Sequence, residues 1–221
     1  MNELLEISNL SFFYGDKRVL DNVDFILYKG DITCVRGKNG AGKTTLLKVL
    51  STILTPREYN VKYLGEKTTL EEIKENIIFI PNSPYLYESL TGWQNIELIR
   101  NLYQKDKKIF YDNVNKYIIE YDMRRYLDDF VESYSLGMKY KVYFVAVLSV
   151  DHDIILMDEP LNAMDSESQK KAIHSLKNMV FERDKTILFS SHISGLISDL
   201  ATREYAIHNG KIINNYNCWK N

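Results

Sequence analysis

Apolar and polar residues alternate over residues 4–13 and again over 19–27, before a turn at Tyr28-Lys29-Gly30, and this period of two predicts a pair of strands. Residues 32–36 form a short apolar strand that runs into a glycine-rich loop, after which 44–53 take helical spacing. A weak edge strand is expected over 61–64, and a compact one over 77–80 that stops at Pro81. The character then changes. Ile96, Ile99, Leu102 and Tyr103, and later Val114, Tyr117, Ile118 and Tyr121, recur at the spacing of helices, so the stretch from about 90 to 137 reads as a helical insert. Another helix is expected over 139–149, and 153–157 is apolar throughout, as a strand covered on both faces requires. An amphipathic helix (166–181), a strand (186–189) and a helix (193–200) follow. A closing hairpin, 204–207 with 211–214, turns on Asn209-Gly210. Strands alternating with helices predict an α/β fold with a mainly parallel core sheet.

Composition narrows the possibilities without naming a chemistry. With 45% hydrophobic residues in 221, the chain has enough apolar material for one sizeable core, or a core with a smaller lobe. The net charge of -2 gives no electrostatic reason to expect nucleic acid as a partner. The Lys105-Asp106-Lys107-Lys108 run is short, carries an acid, and reads as a solvated helix end or loop. Met1-Asn2-Glu3-Leu4 lacks the basic and apolar segments of a secretory signal. The longest apolar run, 142–150, is about half of the ~18 residues that span a bilayer. The chain is therefore expected to be soluble by itself, so that a role at a membrane requires a partner. Cys34, inside an apolar strand, reads as a small buried hydrophobe. With Cys218 it makes no metal-ligand spacing and suggests a reducing compartment. His152, His174 and His208 show no such spacing either.

The chemistry begins at Gly37-Lys38-Asn39-Gly40-Ala41-Gly42-Lys43-Thr44, a G-x-x-x-x-G-K-[ST] loop between a strand and a helix. Backbone N–H groups can wrap phosphate oxygens only where glycines permit unusual angles, and the helix that follows adds the positive end of its dipole. Asn39, Gly40, Ala41, Gly42, Lys43, Thr44 and Thr45 are the candidate nucleotide contacts, with Lys43 a point charge for the β- and γ-phosphates and the Thr44 hydroxyl a ligand for Mg²⁺. The strand that ends in Asp158-Glu159 adds two carboxylates. Asp158 can reach the metal, and Glu159 can orient or deprotonate an attacking water. Alone, an apolar strand entering an acidic turn would signify little; beside the phosphate loop it becomes specific.

These two elements resemble the Walker A and Walker B motifs of P-loop ATPases. Between them, Tyr134-Ser135-Leu136-Gly137-Met138-Lys139 resembles the signature of ATP-binding cassette (ABC) proteins, in the variant of bacterial drug-, bacitracin- and lantibiotic-type exporters. Tyr14 before Gly15 resembles the aromatic that stacks on adenine, Leu161-Asn162-Ala163-Met164-Asp165 the D-loop, Ser190-Ser191-His192 the switch histidine, and Leu90-Thr91-Gly92-Trp93-Gln94-Asn95 the start of the helical subdomain. The resemblance covers essentially the whole chain. It implies a single ABC-type ATPase domain over 1–221, with the core and an antiparallel β subdomain in 1–81 and 138–221 and the helical subdomain in 82–137. It also implies ATP and Mg²⁺ as cofactors, and a membrane permease on a separate chain as partner. A second ATPase subunit, identical or paralogous, is implied as well, with the chain cytoplasmic and peripheral on the inner face of the membrane. In such a pair, Ser135 and Gly137 of one domain contact the γ-phosphate held by the other. The function implied is that of the ATP-hydrolysing subunit of an exporter of peptide or drug-like cargo; the alternative is a non-transport ABC regulator.

The sequence departs from the family pattern at three places. Asn82 stands where a glutamine usually reaches Mg²⁺ and couples to the membrane subunit, and it is one methylene shorter. Leu136 and Met138 replace a glycine and a glutamine of the common signature, as they do together in the exporter subgroup. Tyr140 replaces a glutamine, and nothing in the sequence accounts for it.

Overall fold

The computed structural model describes residues 2–217, so Cys218 lies outside the described residues. From the N-terminus the elements are β1 (Glu3–Tyr14), β2 (Lys17–Tyr28), β3 (Ile32–Arg36), α1 (Lys43–Leu50), β4 (Glu58–Tyr63), β5 (Glu66–Thr68), α2 (Leu70–Ile73) and β6 (Ile77–Ile80). Then come α3 (Gly92–Leu102), α4 (Lys107–Glu120), α5 (Leu136–Leu148), β7 (Ile154–Asp158) and α6 (Ser166–Arg183). The last are β8 (Thr186–Ser191), α7 (Ser194–Leu200), β9 (Arg203–His208) and β10 (Lys211–Asn217). The described residues divide into two compact units, one of residues 2–79, 152–160 and 175–217, the other of 80–151 and 161–174.

The first unit contains an antiparallel sheet, β2-β1-β4-β5, and the six-stranded sheet β10-β9-β3-β8-β7-β6. In the latter, β3 runs parallel to β8 and β9, and β7 parallel to β8, so Arg36, Asp158 and Ser191 end their strands at one edge. The expected mainly parallel core sheet and antiparallel β subdomain are both present. In the antiparallel sheet Leu5, Ile7, Leu20, Phe25 and Leu27 alternate inward onto a core shared with Leu46, Leu47, Val49 and Leu50 of α1 and Ile154 and Leu156 of β7. The alternation breaks between Ile7 and Leu10, where the register of β1 on β2 shifts. Asn9 takes φ 55° there, with its N–H donated to Asp24 Oδ1 at 2.7 Å. That bulge carries the strand past the irregular pattern instead of ending it. The closing hairpin turns on Asn209 (φ 46°) and Gly210 (φ 77°), as the dipeptide requires. Cys34 is fully buried in β3.

The second unit is helical, and it takes in α5 and residues 161–174 as well as the insert expected at 82–137. Its helices start on side-chain caps. Thr91 and Gln94 form a capping box at α3, Asp106 accepts the Ile109 N–H at α4, and Ser135 accepts the Met138 N–H at α5. The lone acid in the lysine run is thus the cap of α4. Tyr140 is 1% exposed and stacks on Phe144 at 6.4 Å, and Tyr121 meets Phe144 edge-on. The unexplained aromatic is therefore a core residue of this unit. Among the described residues no helix is long and apolar enough to cross a membrane.

Candidate active site

The phosphate loop leaves β3 by a path that only glycine can follow. A Cβ at Gly37 would lie 2.5 Å from the Ile207 carbonyl oxygen of β9. At Gly42 φ is 112°, and a Cβ would meet the Leu20 side chain and the Val19 carbonyl. Gly42 is also the N-cap of α1 and supplies no side-chain acceptor, so the first amides of that helix are left for an external anion. Asn39 and Gly40 lie exposed at the crest of the loop, whereas Ala41 and Thr45 are buried beneath it. Lys43, 6% exposed, is folded into its own loop. Its Nζ donates to the Gly37 carbonyl at 2.9 Å and stands 3.4 Å from Glu159 Oε1. A carbonyl and a carboxylate are contacts that phosphate oxygens can replace, so the geometry fits a nucleotide.

The carboxylates come from the tip of β7. Asp158 is buried, and Thr44 Oγ1 donates to it at 3.0 and 2.9 Å from its two oxygens. On its other side Ser190 Oγ donates to Asp158 Oδ1 at 2.7 Å. Glu159 has φ 48°, and His192 Nδ1 lies 3.0 and 2.9 Å from its two carboxylate oxygens. The Thr44 hydroxyl and the Asp158 carboxylate are hard oxygen donors, suited to Mg²⁺. Among the described residues no group of three or more His, Cys, Asp or Glu side chains is placed to hold a metal. This donor set fits a cation shared with phosphates, not one caged by protein alone.

Tyr14 follows on the first unit, at the β1–β2 turn, half-exposed and edge-on to Phe12 at 4.9 Å. Arg57 fixes that turn by donating to the Gly15 carbonyl at 3.3 Å, with its guanidinium 4.7 Å from the centre of the Phe13 ring. The ring of Tyr14 is thus presented on a braced hairpin, where a base could stack.

Four further candidates belong to the second unit. Ser135 is exposed at the start of α5. Gly137 packs so that a Cβ would come within 3.0 Å of the Ala163 carbonyl oxygen, which explains the glycine kept beside Leu136. Asp165 accepts the Ser168 N–H at 2.8 Å and the Ser168 hydroxyl at 2.9 Å, and pairs with Lys141 at 3.3 Å. The Ser168 hydrogen bonds, with Lys141 behind them, hold its carboxyl well below the usual carboxylate range. Asn82 is exposed in the irregular segment after β6. The structure thus brings Lys43, Thr44, Asp158, Glu159 and His192 together in one unit and leaves Ser135, Gly137, Asp165 and Asn82 on the other.

A family model described as ABC transporter matches residues 20–162. The chain belongs to the ABC transporter ATP-binding family. This ABC ATP-binding chain is 30% identical over 220 residues to the ABC transporter ATP-binding protein NatA of Bacillus subtilis, a match covering 95% of the chain and 88% of that protein. It is 29% identical over 219 residues to the bacitracin transport ATP-binding protein BcrA of Bacillus licheniformis, covering 96% of the chain and 69% of that protein. A solved ATP-binding subunit of an ABC transporter superposes with TM-score 0.88 at 26% identity, over 97% of the chain and 90% of that structure. This ABC subunit also places Ser190 at its centre, between Asp158 and the Glu159 N–H. Ser190 was visible only as part of the segment before the switch histidine, and its contact with Asp158 follows from strand register.

Proposed function

We propose that this ABC subunit hydrolyses Mg-ATP and powers an exporter of peptide or drug-like cargo whose permease is a separate chain. The observation that carries the hydrolytic reading is the cluster in which Lys43 and His192 both meet Glu159 while Thr44 meets Asp158. In this reading Lys43 and the loop amides from Asn39 to Thr45 take the phosphates, Tyr14 stacks on adenine, and His192 contacts the γ-phosphate. Thr44 and Asp158 would hold Mg²⁺, with Asn82 as a further ligand; bound there, the ion would offset phosphate charge. Glu159 accepts a proton from the attacking water, whose oxygen bonds to the γ-phosphorus as the bridging oxygen leaves with ADP. Ser135 and Gly137, with Asp165 behind them, serve the nucleotide of a second ATPase domain. The chain works as a single ABC ATPase domain, at the inner face of the membrane. The export reading is supported by the exporter-type signature and by the likeness to the bacitracin protein.

The test is native affinity purification of the full chain from detergent-solubilised membranes, with co-purifying proteins identified by mass spectrometry and ATPase activity measured on the product. A stoichiometric polytopic protein is expected. Recovery without any membrane partner would leave the ATPase and favour a regulatory role.

A further inference from the structure

We propose that Ser190 is a positioning residue of this centre, its hydroxyl holding the metal carboxylate Asp158 and the backbone of the base Glu159 in one arrangement. The inference rests on the ATPase reading above. In the parallel pairing of β7 with β8, Asp158 stands opposite Ser190, so their side chains lie side by side on one face of the sheet. A hydroxyl has one proton to give and lone pairs to receive. Ser190 uses both, donating to Asp158 Oδ1 at 2.7 Å and accepting the Glu159 N–H at 2.9 Å. It is fully buried, where no water can take over either bond.

Two features give this contact consequence beyond packing. First, Asp158 receives hydroxyls from opposite sides, Thr44 from the phosphate loop and Ser190 from β8. Thr44 is itself the hydroxyl assigned to the cation, so Ser190 is the contact that fixes the carboxylate independently of the loop. Second, Glu159 lies in the left-handed region at φ 48°, which a residue with a Cβ adopts only when its surroundings hold it. β7 ends at Asp158, and the N–H beyond it goes to Ser190. Removing the hydroxyl therefore loosens the metal carboxylate and the base together.

The experiment compares the wild-type chain with Ser190→Ala and Ser190→Thr. It reads kcat and KM for Mg-ATP, Mn²⁺ affinity in the presence of ADP by electron paramagnetic resonance, affinity for a fluorescent ADP in EDTA, and the thermal midpoint without nucleotide. For Ser190→Ala the expectation is a loss of about 10–100-fold in kcat and about tenfold in Mn²⁺ affinity, as for other partners of metal-ligating carboxylates. Metal-free ADP affinity should stay within about threefold, because without the metal nothing links the nucleotide to Asp158. Ser190→Thr, which keeps the hydroxyl, should recover most of the kcat. Wild-type kcat and Mn²⁺ affinity in Ser190→Ala would overturn the proposal. So would a loss of metal-free ADP affinity and thermal midpoint in step with kcat, since Ser190 would then be a packing residue. If the wild-type chain shows no Mg²⁺-dependent hydrolysis, the ATPase reading fails, and the Mn²⁺ comparison still decides the role of Ser190.

Discussion

At the scale of the residue, Glu159 is the point where the contacts of the centre converge. Its carboxylate meets Lys43 at 3.4 Å and His192 at 2.9 Å, while its N–H is held by Ser190. Glu159→Gln keeps the shape but turns one acceptor oxygen into an NH2 donor and removes the charge and the basicity. Turnover should fall by about 10²–10⁴-fold, the contribution of a general base. ATP binding should persist, since Lys43 is released from a carboxylate and left for phosphate. Steady-state hydrolysis and equilibrium binding of a fluorescent ATP analogue check both halves; near-normal turnover would reassign the base. Tyr140 argues differently. The family pattern leads one to expect glutamine there, yet the ring is fully buried against Phe144. Tyr140→Gln should destabilise the helical unit by roughly 3 kcal/mol, because it removes aromatic packing and buries an amide. Urea unfolding followed by near-ultraviolet circular dichroism measures it. A change below about 1 kcal/mol, the size of an ordinary substitution, would show the packing to be unimportant.

At the scale of the element, two carboxyls held down in the helical unit predict an acid sensitivity there. On α3 the Arg100 guanidinium, helped by the Tyr111 hydroxyl of α4, holds the Glu97 carboxyl down at about 2. At the start of α6 the bonds from Ser168 depress Asp165 in the same direction. A carboxyl whose folded pKa lies below its unfolded value stabilises the fold above the unfolded value, and that contribution is lost as pH falls through the folded one. The helical unit should therefore weaken between about pH 4.5 and 2, the window from the ordinary glutamate value to the depressed one. Glu97→Gln should flatten that dependence, as seen by hydrogen exchange in α3 and α4 at pH 6, 4 and 2.5. An unchanged profile in the variant would place the sensitivity elsewhere. Elements also show what the sequence made legible. β3 and β6 have the expected bounds because each is a compact apolar run closed by a breaker or by a glycine loop. β5 and α2 were not anticipated, since Glu66-Lys67-Thr68 has no apolar face and α2 is a single turn made by the Thr69–Glu72 capping box. Helix α5 begins three residues before the expected Lys139, at Leu136, because Ser135 is its cap. As candidates, the phosphate loop was legible because its residues are contiguous, Asp158 and Glu159 gained weight only beside it, and His192 was legible only through the family resemblance. Ser190 was not, because two serines at a strand end acquire meaning only through the pairing of β8 with β7.

At the scale of the whole molecule, the distribution of candidate residues between the units sets up a test of assembly. Lys43, Thr44, Asp158, Glu159 and His192 belong to one unit, whereas Ser135, Gly137 and Asp165 belong to the other. If a second ATPase domain completes each nucleotide site with its own Ser135, then Lys43→Ala and Ser135→Ala damage opposite sides of the same site. In a pair of identical chains, either variant alone leaves both sites broken. A mixed pair concentrates both lesions in one site and leaves the other whole. Random mixing makes half the pairs mixed, each with one intact site of two, so co-assembled variants should regain about a quarter of wild-type hydrolysis, as two-fold symmetry requires. The measurement is ATPase activity after co-expression, with separate tags on the two variants to isolate the mixed pair. Recovery would show that the chain assembles with itself and that Ser135 acts across the pair. No recovery, with both variants folded and co-purifying, would mean that Ser135 serves its own chain. No co-purification at all would point to a paralogue as the second domain, because the complementary lesion would then have to be placed on a different polypeptide.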